Sequence, residues 1–112
     1  MKESIKVLRE TKRLLVESGW CKDKLAANKD GVSCSYLSDD AKLFCVAGAF
    51  RRVRFNLGIA MGSCFFGYGY DVFLKVFGMS VQDLIQFNDC QLNKDNVVKL
   101  IDSRIEELSK DI

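Results

Sequence analysis

Thiols and carboxylates are the side chains of this 112-residue chain that could do chemistry, because the chain contains no histidine. Without imidazole there is no Ser-His-Asp or Cys-His nucleophile pair, no histidine general base and no imidazole metal ligand. The five cysteines are spaced irregularly and include no Cys-x-x-Cys pair. A zinc site would need four scattered thiolates, so we expect no bound metal. The cysteines are Cys21, Cys34, Cys45, Cys64 and Cys90.

The cysteines also indicate a compartment. Their number is odd, and the first residues, Met1 to Lys6, lack the apolar core of a signal peptide. These features favour reduced thiols in a cytoplasmic protein. For Cys45, which stands among apolar residues, we expect the role of a small buried hydrophobe.

Two polar pairs are candidate acidic sites. Asp39-Asp40 could bind Mg²⁺, but both residues follow Ser38 and suit the first turn of a helix, where the helix dipole favours carboxylates. The pair Asn88-Asp89 has an uncertain role, either a cap and turn between two helices or a functional site. We predict no catalytic residue and no cofactor, and hence a protein that is not an enzyme.

A basic cluster and two tyrosines are the candidate partner-binding residues. Arg51, Arg52 and Arg54 stand at the end of a predicted helix, where positive charge also suits the helix dipole. Tyr68 and Tyr70 follow in a Gly-Tyr-Gly-Tyr run, and their rings suit either a binding surface or partial burial with the hydroxyl in water. Because aromatic and arginine side chains are enriched at interface cores, this pattern favours a protein partner.

Nucleic acid is the second class of partner. The three arginines could form one basic face with Arg9, Lys12 and Arg13. Against this, the net charge is only +2 and no nucleic-acid recognition motif occurs. Nucleic-acid binding is therefore the alternative to protein binding.

Helices are the elements expected to position these residues. The chain has no proline, the usual breaker of helix interiors, and 48% of its residues are hydrophobic. Over residues 39–54, apolar residues go all the way round at 100° per residue, which is typical of a helix buried on most sides. We predict an all-α fold in which residues 1–112 form a single domain of four to six helices around this central helix.

Capping and stop signals bound the other predicted helices. Gly19 predicts the end of a first helix, and Trp20 is expected to close the core beside it, with ligand stacking as the alternative. Gly78 ends one helix, Ser80 caps the next and Asn93 caps the last. These helices cover residues 3–18, 71–77, 80–89 and 94–109. One short extended piece at 32–37 is not expected to form a sheet.

The uncharged run 55–70 is shorter than the about 20 residues that a membrane helix needs. It also holds four glycines, so we predict no membrane segment. We expect residues 57–66 to be an irregular or short helical segment packed on the core.

Several motifs, in this order, resemble a family of small uncharacterised bacterial and bacteriophage proteins. The motifs are Gly19-Trp20-Cys21, Asp30-Gly31, Cys45-Val46-Ala47-Gly48-Ala49, Phe87-Asn88-Asp89 and the last helix from Asn96 to Asp102. Phe87 departs from the Trp of the family pattern, and the aromatic run 55–70 is longer than that pattern. The resemblance implies a bacterial or phage source and supplies no activity.

Together these features predict a small cytoplasmic helical protein that acts by binding another protein. The resemblance to phage proteins suggests a specific form, an anti-CRISPR-like inhibitor or regulator of a host or defence complex. Contact with a charged partner is expected at the arginine cluster and in the aromatic run after it.

Overall fold

The computed structural model describes residues 2–59 and 69–110, except for the side chains of residues 70 and 71. The described residues form five helices and one two-stranded sheet. In chain order they are α1 (Lys2–Glu17), β1 (Ala26–Ala27), β2 (Leu43–Phe44), α2 (Val46–Asn56), α3 (Gly69–Phe77), α4 (Val81–Asp89) and α5 (Asp95–Ser109). The described part of the chain is therefore mostly helical, as predicted.

The small sheet shows that the prediction of a purely all-α fold was wrong. β1 and β2 pair antiparallel, with Ala26 opposite Phe44 and Ala27 opposite Leu43. Isolated bridges extend the pairing, since Trp20 lies beside Phe44 and Ser33 beside Ala27. The pairing joins short segments that are distant in sequence, and strand formation of this kind depends on neighbours more than on local propensity.

The predicted central helix over 39–54 was wrong in its first half. Ser38 Oγ accepts a hydrogen bond from the Asp40 N–H at 3.1 Å, and the Ala41 N–H donates to the Ser38 carbonyl at 3.2 Å. The residues expected to cap a helix thus form a turn, because serine side chains offer the backbone an alternative to helix. β2 follows this turn, and the helix begins only at Val46.

α2 is nonetheless deeply buried over its first half. Residues 46–50 and Val53 are all buried. Its N-cap is Cys45, whose sulfur accepts a hydrogen bond from the Gly48 N–H at 3.3 Å. A Cβ on Gly48 would overlap the Leu25 carbonyl oxygen, which itself accepts from the Cys45 N–H at 3.1 Å. Glycine therefore lets the backbone at Leu25 lie directly against the first turn of α2.

Three helices, α1, α3 and α4, contact α2, and α5 packs against α1 and α3. α1 lies against both α2 and α5, and α4 lies against α2 and α3. Phe50 of α2 contacts the rings of Phe73 and Phe77 in α3, with centroids 5.0 and 5.1 Å away. At the exposed edge of the α1–α5 contact, Lys12 pairs with Asp102 at 2.8 Å.

The predicted ends of the remaining helices are confirmed within about two residues, the usual uncertainty of helix boundaries. Ser80 caps α4, with its Oγ accepting from the Asp83 N–H at 3.2 Å. Gly78 follows α3 with a φ of 75°. The Asn93 side chain accepts from the Asp95 N–H at 2.9 Å where α5 begins. Within the described ranges, no helix combines the length and the apolar content that crossing a membrane requires.

The substitution Gly48→Ala tests the Gly48–Leu25 contact, because two effects on stability have opposite signs. Helix propensity alone predicts that Gly48→Ala stabilises the protein by about 1 kcal/mol. The overlap with the Leu25 carbonyl predicts instead a destabilisation of about 2 kcal/mol or more. We expect the second result from urea unfolding followed by circular dichroism. A variant as stable as the wild type would show that Leu25 does not lie against this turn.

Candidate functional site

Asn88, one half of the predicted polar pair, is a buried centre of hydrogen bonds. It lies in the last turn of α4 and is 0% exposed. Its Oδ1 accepts from the Trp20 indole N–H at 2.8 Å and from the Val46 backbone N–H at 3.0 Å. Its Nδ2 donates to the Cys21 carbonyl and to the Asp89 carboxylate, both at 3.1 Å. Both acceptor and both donor positions of the carboxamide are therefore used.

Asp89 connects this centre to the loop after Trp20. Its Oδ1 accepts from the Asp23 N–H at 2.9 Å as well as from Asn88. Asp23 has a φ of 67°, in the left-handed region that few non-glycine residues adopt. The carboxylate thus holds an unfavourable turn in place. We call the hydrogen-bonded set of Trp20, Cys21, Val46, Asn88 and Asp89 the Asn88 network.

The Asn88 network brings together three motifs that are far apart in the sequence. They are the Gly-Trp-Cys step, the Cys-x-x-Gly-Ala segment that begins α2, and the Phe-Asn-Asp step that ends α4. Because every polar atom of the Asn88 side chain is already hydrogen-bonded, none is left to bind a substrate. It accounts for the Asn88-Asp89 pair as a clamp between a loop and two helices, and Trp20 packs against the core as part of it.

The described cysteines are poor nucleophiles where they are buried. Burial raises the pKa of Cys21 to about 12, with the nearby Cys45 thiol adding to the effect. Burial also raises the pKa of Cys45, although the backbone N–H groups of Gly48 and Ala47 oppose the shift. Since the thiolate is the reactive form, neither group suits catalysis. Across residues 2–59 and 69–110, no three Cys, Asp or Glu side chains cluster as metal ligands would.

Arg52, one of the predicted partner-binding residues, forms hydrogen bonds within the chain that stabilise the fold. Its Nη1 donates to the carbonyls of Tyr36 and Ser38 at 3.0 and 2.9 Å, and its Nε donates to Asn56 at 3.2 Å. These bonds fix the loop before β2 against α2. Their loss would release that loop, so a binding role for Arg52 would compete with its structural one.

Arg51 lies between two aromatic rings. Its guanidinium carbon is 5.9 Å from the Tyr36 ring centroid and 5.5 Å from that of Phe73, within the range of cation–π attraction. Among the described residues, its buried Nε has no hydrogen-bond partner. Arg51 is therefore half-buried, with its guanidinium held against the two rings.

Arg54 differs from the other two arginines because it lines a cleft. The cleft has a volume of about 210 Å³ and lies between α1, α2 and α3. The guanidinium stands over the Phe50 ring, 5.9 Å from its centroid. We call this the Arg54 cleft. Its lining residues are Glu3, Ser4, Val7, Phe50, Arg54, Val72, Lys75 and Val76.

Two exposed apolar residues lie beside Arg54, and neither was singled out as a site residue from the sequence. Phe55 is 50% exposed, and Leu57 is 38% exposed although residues 57–66 were expected to pack on the core. In α2 the buried residues Val46, Phe50 and Val53 share one face, and Phe55 falls on the opposite one at 100° per residue. This helical phase is the signal in the sequence that separates Phe55 from these core residues.

The side chains of the two tyrosines predicted to bind a partner lie outside the described residues. Tyr68 lies outside the described residues. Tyr70 is placed in α3 only by its backbone, since its side chain lies outside the described part. Both remain predictions as binding residues.

The basic face considered for nucleic acid is largely occupied by contacts within the chain. Lys12 pairs with Asp102, and Arg13 pairs with Glu10 and Glu17 at 3.3 and 2.9 Å. Arg52 is bound to loop carbonyls, and Arg51 and Arg54 are half-buried against aromatic rings. Arg9 is exposed and forms no ion pair among the described residues.

Comparison with known proteins identifies a family. A model for a family of unknown function, DUF6197, matches residues 1–107. The chain belongs to this family. Membership of an uncharacterised family was predicted from the motifs, whereas a bacterial or phage source stays a prediction. No curated protein and no solved structure was found to match the chain. DUF6197 therefore carries no activity over to this member.

The Asn88 network should be costly to break. Asn88→Ala leaves the Trp20 indole N–H and the Val46 N–H without their acceptor in a buried site, and unsatisfied buried groups cost about 1–3 kcal/mol each. We expect a loss of about 2–5 kcal/mol in urea unfolding monitored by Trp20 fluorescence. Asn96→Ala, a substitution at an exposed asparagine of α5, is the matched control and should cost less than about 1 kcal/mol. Equal costs for the two variants would remove the clamp interpretation.

The cysteines should differ in reactivity. In the folded protein at pH 8, the exposed Cys90 should react with iodoacetamide before Cys21 and Cys45, which stay protected because burial raises the pKa of both thiols. Peptide mass spectrometry over a time course measures each site. Addition of urea should make Cys21 and Cys45 react as fast as Cys90. Rapid alkylation of Cys45 in the native protein would contradict the observed cap.

Proposed function

We propose that this DUF6197 member acts by binding another protein through the end of α2. The observation that carries the proposal is the half-exposed Phe55 next to Arg54, whose charge is not taken up by an ion pair among the described residues. We call Arg54, Phe55 and Leu57 the α2-end surface.

Physical chemistry supports this choice of surface. An aromatic ring that is half exposed in the free protein gains about 1 kcal/mol or more when a partner covers it. Arginine and aromatic side chains dominate the energetics of many interfaces, and they are adjacent here. The surface also stands on a helix whose first half is buried, so that it is presented on a rigid element.

Two finer parts of the proposal rest on other observations. An inhibitor or regulator of a host or defence complex, similar to an anti-CRISPR protein, is suggested by the resemblance to phage proteins alone. A cytoplasmic location is proposed because the chain has an odd number of cysteines and the described ones are free thiols. The proposal needs no metal, cofactor or catalytic residue.

Nucleic-acid binding is the second candidate, and one groove favours it. The groove between α1 and the end of α5 has a volume of about 400 Å³, and Lys2, Lys6 and Arg9 line it. A mobility shift of labelled DNA at low salt that vanishes at physiological salt, and that is lost in a Lys6→Glu variant, would favour this candidate.

Phe55→Asp should abolish partner binding while the fold is retained. The substitution places a charge in the proposed interface, and at this half-exposed position the carboxylate keeps contact with water in the free protein. The control is Val16→Asp, because Val16 is 51% exposed and lies on α1. Tagged wild-type protein and both variants are used for affinity purification from native cells, followed by quantitative mass spectrometry. We expect the proteins enriched by the wild type to remain with Val16→Asp and to disappear with Phe55→Asp.

The thermal unfolding curves of both variants should match the wild type within a few degrees, which separates loss of binding from loss of fold. Retention of every enriched protein by Phe55→Asp would exclude the α2-end surface as the binding site. Equal loss with both variants would also count against it, since a general surface effect would then explain the result.

A further inference from the structure

We propose that the partner is recognised through an acidic side chain with an apolar stem, seated in the Arg54 cleft, and through an apolar neighbour that covers Leu57. This inference rests on the proposed function, because Arg54 of the α2-end surface lines the cleft and Leu57 of that surface lines a neighbouring recess.

The size of the cleft favours a single side chain over a free ligand. Sites for small molecules usually measure about 300–1,000 Å³, and the Arg54 cleft measures about 210 Å³. A recess of this size resembles the pockets that receive anchor residues at protein interfaces. The occupant is therefore expected to be part of a larger partner that makes further contacts outside the cleft.

The floor of the cleft is apolar and fixed. Val7, Phe50 and Val76 are core residues that show only a small part of their surface at its base. The ring of Phe50 is packed against Phe73 and Phe77, so the floor is formed before any partner arrives. An occupant with a methylene stem would contact this floor without loss of its own hydrogen bonds.

The rim of the cleft is cationic. Arg54 and Lys75 stand on it, and among the described side chains Glu3 is the carboxylate that opposes them. Ser4 lies in the first turn of α1, where backbone N–H groups without helical partners also favour an anion. Because Arg54 is positioned over the Phe50 ring, its guanidinium is set to meet a carboxylate whose stem lies on the floor.

A second recess adjoins the first and repeats its chemistry. This groove has a volume of about 330 Å³ and is lined by Lys2, Glu3, Lys6, Leu57 and Ile59. Glu3 lines both recesses, so they are neighbours. Within the described residues, the four lysine and arginine side chains of the two recesses form no ion pair. Four cations and one carboxylate among the described lining residues, beside exposed aliphatic surface, complement an acidic and apolar segment.

A protein segment fits this arrangement better than a nucleic acid. Nucleic-acid backbones bind along extended rows of cations that contact several phosphates. Here the cations surround two recesses with apolar walls, and Glu3 stands between them, where it would repel a phosphate. A carboxylate on a flexible stem can reach Arg54 and Lys75 while it avoids Glu3.

The test is selection of peptides from a displayed library of random 12-residue sequences on the intact wild-type protein. We expect the enriched peptides to carry Asp or Glu next to Leu, Ile or Phe. One enriched peptide is then synthesised with a fluorescent label, and its affinity for variants is measured by anisotropy. Arg54→Gln should weaken binding about tenfold or more, since it removes a charge-assisted contact.

Removal of the carboxylate of Glu3 should have the opposite effect on peptide affinity from removal of the Arg54 charge. Glu3→Gln should strengthen binding by about two- to fivefold, because it removes a carboxylate that repels an acidic occupant at the rim. Lys99→Gln, at an exposed position of α5, is the matched control and should leave the affinity unchanged. Thermal unfolding of each variant verifies that the fold is kept.

Three results would overturn the inference: no enriched peptide, enriched peptides without acidic residues, or affinity insensitive to both Arg54→Gln and Glu3→Gln. If peptides without acidic residues still lose binding in Phe55→Asp, the proposed function survives and only the acidic anchor fails. A labelled 20-nucleotide single strand that binds in place of peptides, and is lost with Arg54→Gln, would assign the recesses to nucleic acid instead.

Discussion

The Asn88 carboxamide is the constraint on which the arrangement of this chain depends. A buried amide without partners costs several kcal/mol, and Asn88 avoids that cost only when Trp20, Cys21 and Val46 are all in place. The donors and acceptors also fit a single orientation of the amide, since its oxygen meets two N–H groups and its nitrogen meets two oxygens. One side chain therefore sets the relative positions of the end of α4, the loop after α1 and the start of α2.

This constraint reaches the proposed binding surface through α2. The first turn of the helix is held by Asn88 at Val46, by the thiol cap of Cys45, and by the backbone at Leu25 against Gly48. With its N-terminal end fixed on three sides, the direction of the helix is fixed as well. Arg54 and Phe55 lie about two turns further along, so their positions follow from contacts made at the other end.

The sequence predicts those parts of the fold that depend on a few neighbouring residues. Ser80 and Gly78 each mark a helix boundary because capping and the left-handed conformation are local properties. The same reasoning failed at Ser38, where an equivalent signal forms a turn, because pairing of β2 with β1 holds the following residues extended. The residues after Ser38 form a strand because they pair with β1, which lies too far away in the sequence to be seen in a short window around Ser38.

The roles of Asn88 and of the three arginines also depend on contacts that are distant in the sequence. Asn88 at a helix end is consistent with a cap, a turn or a clamp, and only its distance to Trp20 and Val46 distinguishes them. Arg51, Arg52 and Arg54 are equivalent as a basic run, yet the structure encloses one, bonds the second to a loop and leaves the third over a cleft. A charge run gives the sign of the local potential, but not which of its members is available to a partner.

The residues of the motifs and those of the α2-end surface are different, and they lie in different parts of the structure. Trp20, Cys45 and Asn88 are engaged in the interior, so a partner cannot read them without unfolding the network. Arg54, Phe55 and Leu57 belong to none of the motifs. Chains that share the motifs of this protein would thus share the clamp that positions α2, while the side chains at the end of that helix could differ freely. For this reason the motifs are informative about the fold and silent about the partner, and the partner has to be sought from the α2-end surface itself.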